Sequence, residues 1–98
     1  SYYTFNPAAD QNIQAGGNTL YTITAKDQYG NGVVNSETIN LSTPGSSTAW
    51  FNGNITSIAF SNDSTVNVTV NDTTVGEFSV RAEKAADSAI NGQSGAIS

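Results

Sequence analysis

The sequence predicts an all-β fold, an antiparallel β-sandwich of about seven short strands. Three observations carry that reading. Apolar and polar residues alternate through Thr19–Lys26, Thr65–Val70 and Glu77–Glu83, the period of a strand with one dry and one wet face. Clusters of Gly, Asn, Asp and Pro interrupt the chain at short intervals, as strand-closing turns do. No segment sustains the 3.6-residue apolar period of a helix.

The organising stretch is Asn18 to Val34. Tyr21, Ile23 and Ala25 share the inward face of a strand, and Asp27 to Gly32 stops it. The Asp27 carboxylate can bond amides two residues on, while Gly30 and Gly32 tolerate positive φ. Before it, Ser1–Phe5 reads as an edge strand ended by Asn6-Pro7, since proline cannot donate to a ladder. Pro7–Gly17 is looser, with Ile13 as its anchor. After it, Ser36–Ser42 forms a third strand with Ile39 and Leu41 inward and Glu37 wet at its mouth.

Thr43–Thr48 is a loop by composition. Asn52-Gly53 suits a type I′ hairpin between Ala49–Phe51 and Asn54–Thr56, and Ser57–Phe60 continues or restarts the returning strand. Ser61–Ser64 turns the chain into Thr65–Val70, with Val66, Val68 and Val70 inward. Asn71–Gly76 makes a corner before Glu77–Glu83, where Phe78, Val80 and Ala82 face in. Lys84–Ser88 has room for one helical turn, Asn91-Gly92 marks a further turn, and Gly95–Ser98 begins a last strand.

Composition excludes much chemistry. The 98 residues form one domain, 1–98, with no Cys and no His. Disulfides, thiolate nucleophiles, imidazole bases and ordinary zinc sites are therefore absent. No cofactor is expected. Eight acids against Lys26, Arg81 and Lys84 give a formal charge of −5. Nucleic acid needs a basic stripe, and none exists. No apolar run approaches the ~18–20 residues of a membrane span, so direct insertion is not expected. Ser1 in place of an initiating Met reads as a piece of a longer protein.

Two motifs carry a resemblance. Ala25-Lys26-Asp27 followed by Gln28-Tyr29-Gly30-Asn31 and Val33 resembles the D-x-x-G-N-x-V turn of immunoglobulin-like repeats in bacterial and archaeal surface proteins. Those repeats include the invasin/intimin type and S-layer-associated modules. Val75-Gly76-Glu77-Phe78-Ser79-Val80-Arg81-Ala82 is similar to their G-x-Y-x-V-x-A strand. Phe78 replaces the usual Tyr, so no hydroxyl is available for a tyrosine corner, and the inter-sheet cysteine pair of antibody domains is absent. The resemblance covers about four-fifths of the chain. It implies an immunoglobulin-like spacer or adhesion module, exported to the cell surface, with no catalytic role.

Each candidate site has a plainer reading beside it. Asp27 and Asn31 offer oxygen ligands for calcium, which takes about six or more, and the neighbouring chain adds none. The simpler role for Asp27 is as acceptor for its own turn, and Asp63 and Asp72 read alike. Glu77 and Glu83 lie roughly 20 Å apart along one strand, too far for the paired carboxylates of a glycosidase. A Lys–Asn cross-link needs a buried lysine assisted by a buried acid; Lys26 ends its strand at a wet turn, Lys84 follows a strand, and neither reads as buried beside apolar residues. Trp50 and Tyr29 are the candidate ligand contacts, because exposed rings can cover the apolar face of a sugar. Asn62 and Asn71 are the turn-borne acceptors among five N-x-S/T sequons.

The expected function is that of a stiff structural or adhesion unit. Its partners would be neighbouring domains of the same chain, with a surface protein or glycan as further partner. The alternative is a carbohydrate-binding accessory module of a secreted polysaccharide-active enzyme, for which Trp50 would be the contact to remove.

Overall fold

The computed structural model describes residues 2–7, 17–72 and 76–97. Its strands are β1 (Tyr2–Asn6), β2 (Asn18–Lys26), β3 (Thr38–Ser42), β4 (Trp50–Phe51), β5 (Ser57–Ala59), β6 (Thr65–Asn71), β7 (Arg81–Lys84) and β8 (Asp87–Gln93). They form two four-stranded sheets, ordered β1-β2-β6-β4 and β5-β3-β7-β8. Every pairing is antiparallel. In space the first sheet matches the A-B-E-D order of an immunoglobulin-like sandwich and β3-β7-β8 the C-F-G order. However, β5, added beyond β3, follows β4 in the chain, where the C′ strand of that fold precedes D.

Alternation predicts which side chains meet between the sheets. Tyr21, Ile23 and Ala25 of β2 are buried, as are Val68 and Val70 of β6. Across the core they meet Ile39 and Leu41 of β3, Ala82 of β7, and Phe78, Val80 and Ile97 outside the regular strands. Each such burial is worth roughly 1.5–3 kcal/mol for a Val, Ile or Leu. Aromatic rings close the gaps. Tyr3 stacks on Phe60 at 5.9 Å between centroids, and Phe5 meets Tyr21 edge-on at 5.5 Å.

Five expectations need correction. The Asn52-Gly53 hairpin does not form: β4 lies in one sheet and β5 in the other. Phe51 gains a buried place opposite Val70, and the Thr56 carbonyl takes the Leu41 amide at 2.8 Å. Asn52–Asn54 is a 3-10 turn whose positive φ values, 81° at Gly53 and 54° at Asn54, carry the chain between sheets. The same turn chemistry serves a crossing instead of a fold-back.

Asn91-Gly92 is not a turn either. It lies inside β8, and the reversal occurs at Ala85-Ala86 in place of a helical turn. Glycine is needed at 92 for another reason: β8 passes so close to β1 that a Cβ there would overlap the Tyr3 carbonyl. The third strand starts at Thr38 instead of Ser36, because the Ser36 hydroxyl accepts the Asn62 amide and Asn35 Oδ1 accepts the Glu37 amide. Regular pairing of Glu77–Glu83 begins only at Arg81. Before it, Phe78 bridges Ile97 and the Ser79 amide bonds the Pro44 carbonyl.

Ile13 and Val75 lie outside the described residues. Tyr2 pairs with Lys26 at one pole of the sandwich. Asn18, Asn71 and Trp50 line up at the other, and the Phe78–Ile97 bridge lies at that end of the second sheet.

Candidate functional site

The turn after β2 is built as its sequence dictates. The Gly30 amide donates to the Asp27 carbonyl and the Asp27 amide to the Asn31 carbonyl, at 3.1 and 2.9 Å. Asp27 Oδ1 accepts the amides of Tyr29 at 2.8 Å and Asn31 at 3.0 Å, and the Asn31 side-chain amide donates to Oδ2 at 3.4 Å. Gly30 supplies the positive φ, 81°. The Asn31 amide leads the donors that hold the Asp27 carboxyl below its ordinary value of 3.8, against a smaller opposing contribution from desolvation. Asp27 and Asn31 thus bond each other and the turn. Among the described residues, no three Asp or Glu side chains gather as a metal site would need.

Beside this turn, at the same pole, the two sheets part to leave a cleft of about 100 Å³. Tyr3, Val33, Asn35, Glu37, Lys84 and Ile90 are among its walls. Burial and then the negative charge of Glu37 raise the pKa of the Tyr3 hydroxyl. Glu37 is exposed, as its place at the strand mouth predicts, while Lys26 and Lys84 are half-buried rather than fully wet. The Lys26 ammonium donates to the Gly30 carbonyl at 3.4 Å. The alternation of β7 puts Lys84 on the face of Ala82, a signal visible in the sequence that placing Lys84 beyond the strand passed over.

The remaining candidates are dispersed. Tyr29 is 79% exposed on the turn, whereas Trp50, 38% exposed, lies at the opposite pole on β4. Phe51 beside it is buried, so one ring of that pair faces out and one in. Asn62 is exposed with φ 50° in its turn. Asn71 ends β6, and its side-chain amide donates to Asn52 Oδ1 at 2.8 Å; Thr73 of its sequon lies outside the described residues. Glu83 pairs with Arg81 at 2.8 Å, while Glu77 is exposed.

Asp63 behaves as a turn acceptor, taking the Ser64 and Thr65 amides at 2.7 and 3.2 Å. Asp72 does not. It is 3% exposed and accepts the Ser46 hydroxyl at 2.9 Å and the Thr48 hydroxyl at 2.6 Å. Ser46 Oγ in turn accepts the Thr48 and Ala49 amides. Continuing the Val66-Val68-Val70 parity one step to 72 was the available signal for an inward carboxylate.

No family model matches the sequence, and no curated protein matches it. Among solved structures, the S-layer protein SbsC domains 4 and 5 superposes with a TM-score of 0.60 at 19% identity, covering 99% of this chain and 44% of that one. The likeness is one of fold. It agrees with the two-sheet architecture derived from the strand order, and this chain spans less than half of the structure it matches.

Proposed function

We propose that the chain is a non-catalytic structural module, one immunoglobulin-like repeat of an exported cell-surface or S-layer protein, working as a stiff spacer or interaction unit. The observation that carries this reading is the placement of Tyr2 and Ile97 at opposite poles of a two-sheet body. Units with that geometry join end to end, each adding a fixed length, while their turns remain free to vary. Similarity of fold to domains 4 and 5 of an S-layer protein supports the surface setting. The invasin/intimin kinship rests on the two sequence motifs alone, Asp27-x-x-Gly30-Asn31-x-Val33 and Gly76-x-Phe78-x-Val80-x-Ala82. Neighbouring domains of the same chain are the proposed partners, and the proposed location is extracellular.

The competing accessory-module reading needs aligned exposed rings, and Tyr29 and Trp50 stand at opposite poles. Pull-down of the purified chain and its Trp50→Ala variant on a panel of insoluble polysaccharides separates the two. A spacer binds none of them in either form. Saturable binding that disappears in Trp50→Ala overturns the proposal.

A further inference from the structure

We infer that the open edge of β6, residues Thr65–Thr69, pairs antiparallel with the same edge of a second copy of this chain, about a two-fold axis at Asn67. β6 runs from Thr65 to Asn71, yet β4 pairs with it only at Val70 and Asn71. The Ala25 amide donates to the Ser64 carbonyl at 2.8 Å. Hydrogen-bonded pairs alternate along an antiparallel ladder, so by the observed register Val66, Val68 and Val70 exchange bonds with β2. The amides and carbonyls of Thr65, Asn67 and Thr69 therefore face away from it. Among the described residues no strand pairs with that side of Thr65–Thr69. Asp63 Oδ1 takes the Thr65 amide, which leaves the Thr65 carbonyl and both backbone groups of Asn67 and Thr69 for water or a partner strand.

Folded proteins commonly protect such an edge with a charge, a proline or a bulge. Thr65-Val66-Asn67-Val68-Thr69 carries none of these. An uncharged edge lets two copies of a chain with formal charge −5 approach without opposing like charges across the pair. The edge is also self-complementary. With Asn67 opposite its counterpart, the two residues exchange reciprocal bonds, and each Thr69 amide reaches the partner's Thr65 carbonyl.

The limits of the edge agree with this register. β4 blocks the strand from Val70 onward, and the incoming chain leaves the sheet through the turn at Asn62–Ser64, where Asn62 has φ 50°. A partner strand starting at its own Thr65 thus begins opposite Thr69, beside the Asn52–Asn54 turn that continues β4 and packs on β6. On the outer face, Thr65, Asn67 and Thr69 meet the same residue types across the new ladder. Five residues alone make a weak contact, which repetition along a chain or a surface multiplies.

Sedimentation equilibrium of the purified chain up to about 1 mM tests the inference, that being the affinity range of a minimal contact. Concentration-dependent dimer is expected. Asn67→Lys and Asn67→Glu each set like charges face to face and are expected to weaken it at least about tenfold; an equimolar mixture of the two restores the dimer as a heterodimer. Amide hydrogen exchange on the unmodified chain gives a readout independent of any variant: Asn67 and Thr69 slow as concentration rises. Monomer throughout the range overturns the inference. So does a dimer indifferent to Asn67→Lys, or exchange at Asn67 and Thr69 that ignores concentration.

Discussion

The hydroxyl of Thr48 donates to Oδ1 of Asp72 across 2.6 Å, joining residues 24 apart in sequence and fixing the loop after β3 to the end of β6. Oδ2 of the same carboxylate accepts Ser46 at 2.9 Å. The loop Thr43–Thr48, polar by composition, is thereby held in one conformation by a single inward acid. Asp72→Ala removes the charged acceptor of both hydroxyls in a region that is partly buried. Hydrogen bonds to charged groups contribute about 1.5–3 kcal/mol each, and sharing one acceptor makes the sum less than additive, so a loss of roughly 2–4 kcal/mol is expected. Urea unfolding measures it, with Ser46→Ala expected to cost about half as much.

Gly92 and Gly76 make a matched pair of tests. A Cβ at position 92 overlaps the Tyr3 carbonyl, whereas one at 76 meets nothing within 4 Å. Gly92→Ala must push β8 away from β1, at about 1–3 kcal/mol or more for overfilling a close contact. Gly76→Ala is expected to change stability by no more than about 0.5 kcal/mol. Equal effects in thermal melts would remove the close-approach argument.

Asp27 should govern part of the acid sensitivity. Its carboxyl is held below 3.8 in the folded chain, mainly by the Asn31 amide. A depressed folded value means that the stabilisation is complete above the unfolded value and is lost as pH falls below about 3.8 and through the folded value. Asp27→Asn keeps an acceptor for the Tyr29 and Asn31 amides but cannot titrate. Its urea midpoint should therefore fall less than that of the unmodified chain across this acid window. Parallel declines would show that the turn carboxylate contributes nothing to it.

Ile97 tests whether the segment after β8 belongs to the core. It is completely buried and exchanges backbone bonds with Phe78 at 2.9 and 2.7 Å. Ile97→Ala is expected to cost about 2–5 kcal/mol, the range for truncating a large core aliphatic. A cost below about 1 kcal/mol would mean that this segment is not docked in solution.

Much of this architecture was legible because the valine and isoleucine positions of β2, β3 and β6 obey a strict period of two. Tyr21, Ile23, Ile39, Leu41, Val68 and Val70 are inward as that period requires. What local sequence could not supply was the identity of the strand beside each edge. Asn52-Gly53-Asn54 has the residues of a tight reversal, which would set Phe51 opposite Asn54, yet Phe51 pairs with Val70 of a strand that lies later in the chain. Gly92 shows the same limit, since its need for a missing side chain comes from Tyr3, on the far side of the sequence. The turn at Asp27 was readable because all its partners lie within a few residues. The setting of Asp72 depends on Ser46 and Thr48, brought in over a long loop.

The opposed placement of Tyr2 and Ile97 has a mechanical consequence. β1 and β8 run in the same direction along the body, and each is hydrogen-bonded to an antiparallel neighbour. Tension drawn between the two poles would load the β1–β2 ladder along the strand axis, in shear, so its rungs would share the force. The same bonds pulled sideways would open one after another, like a zip.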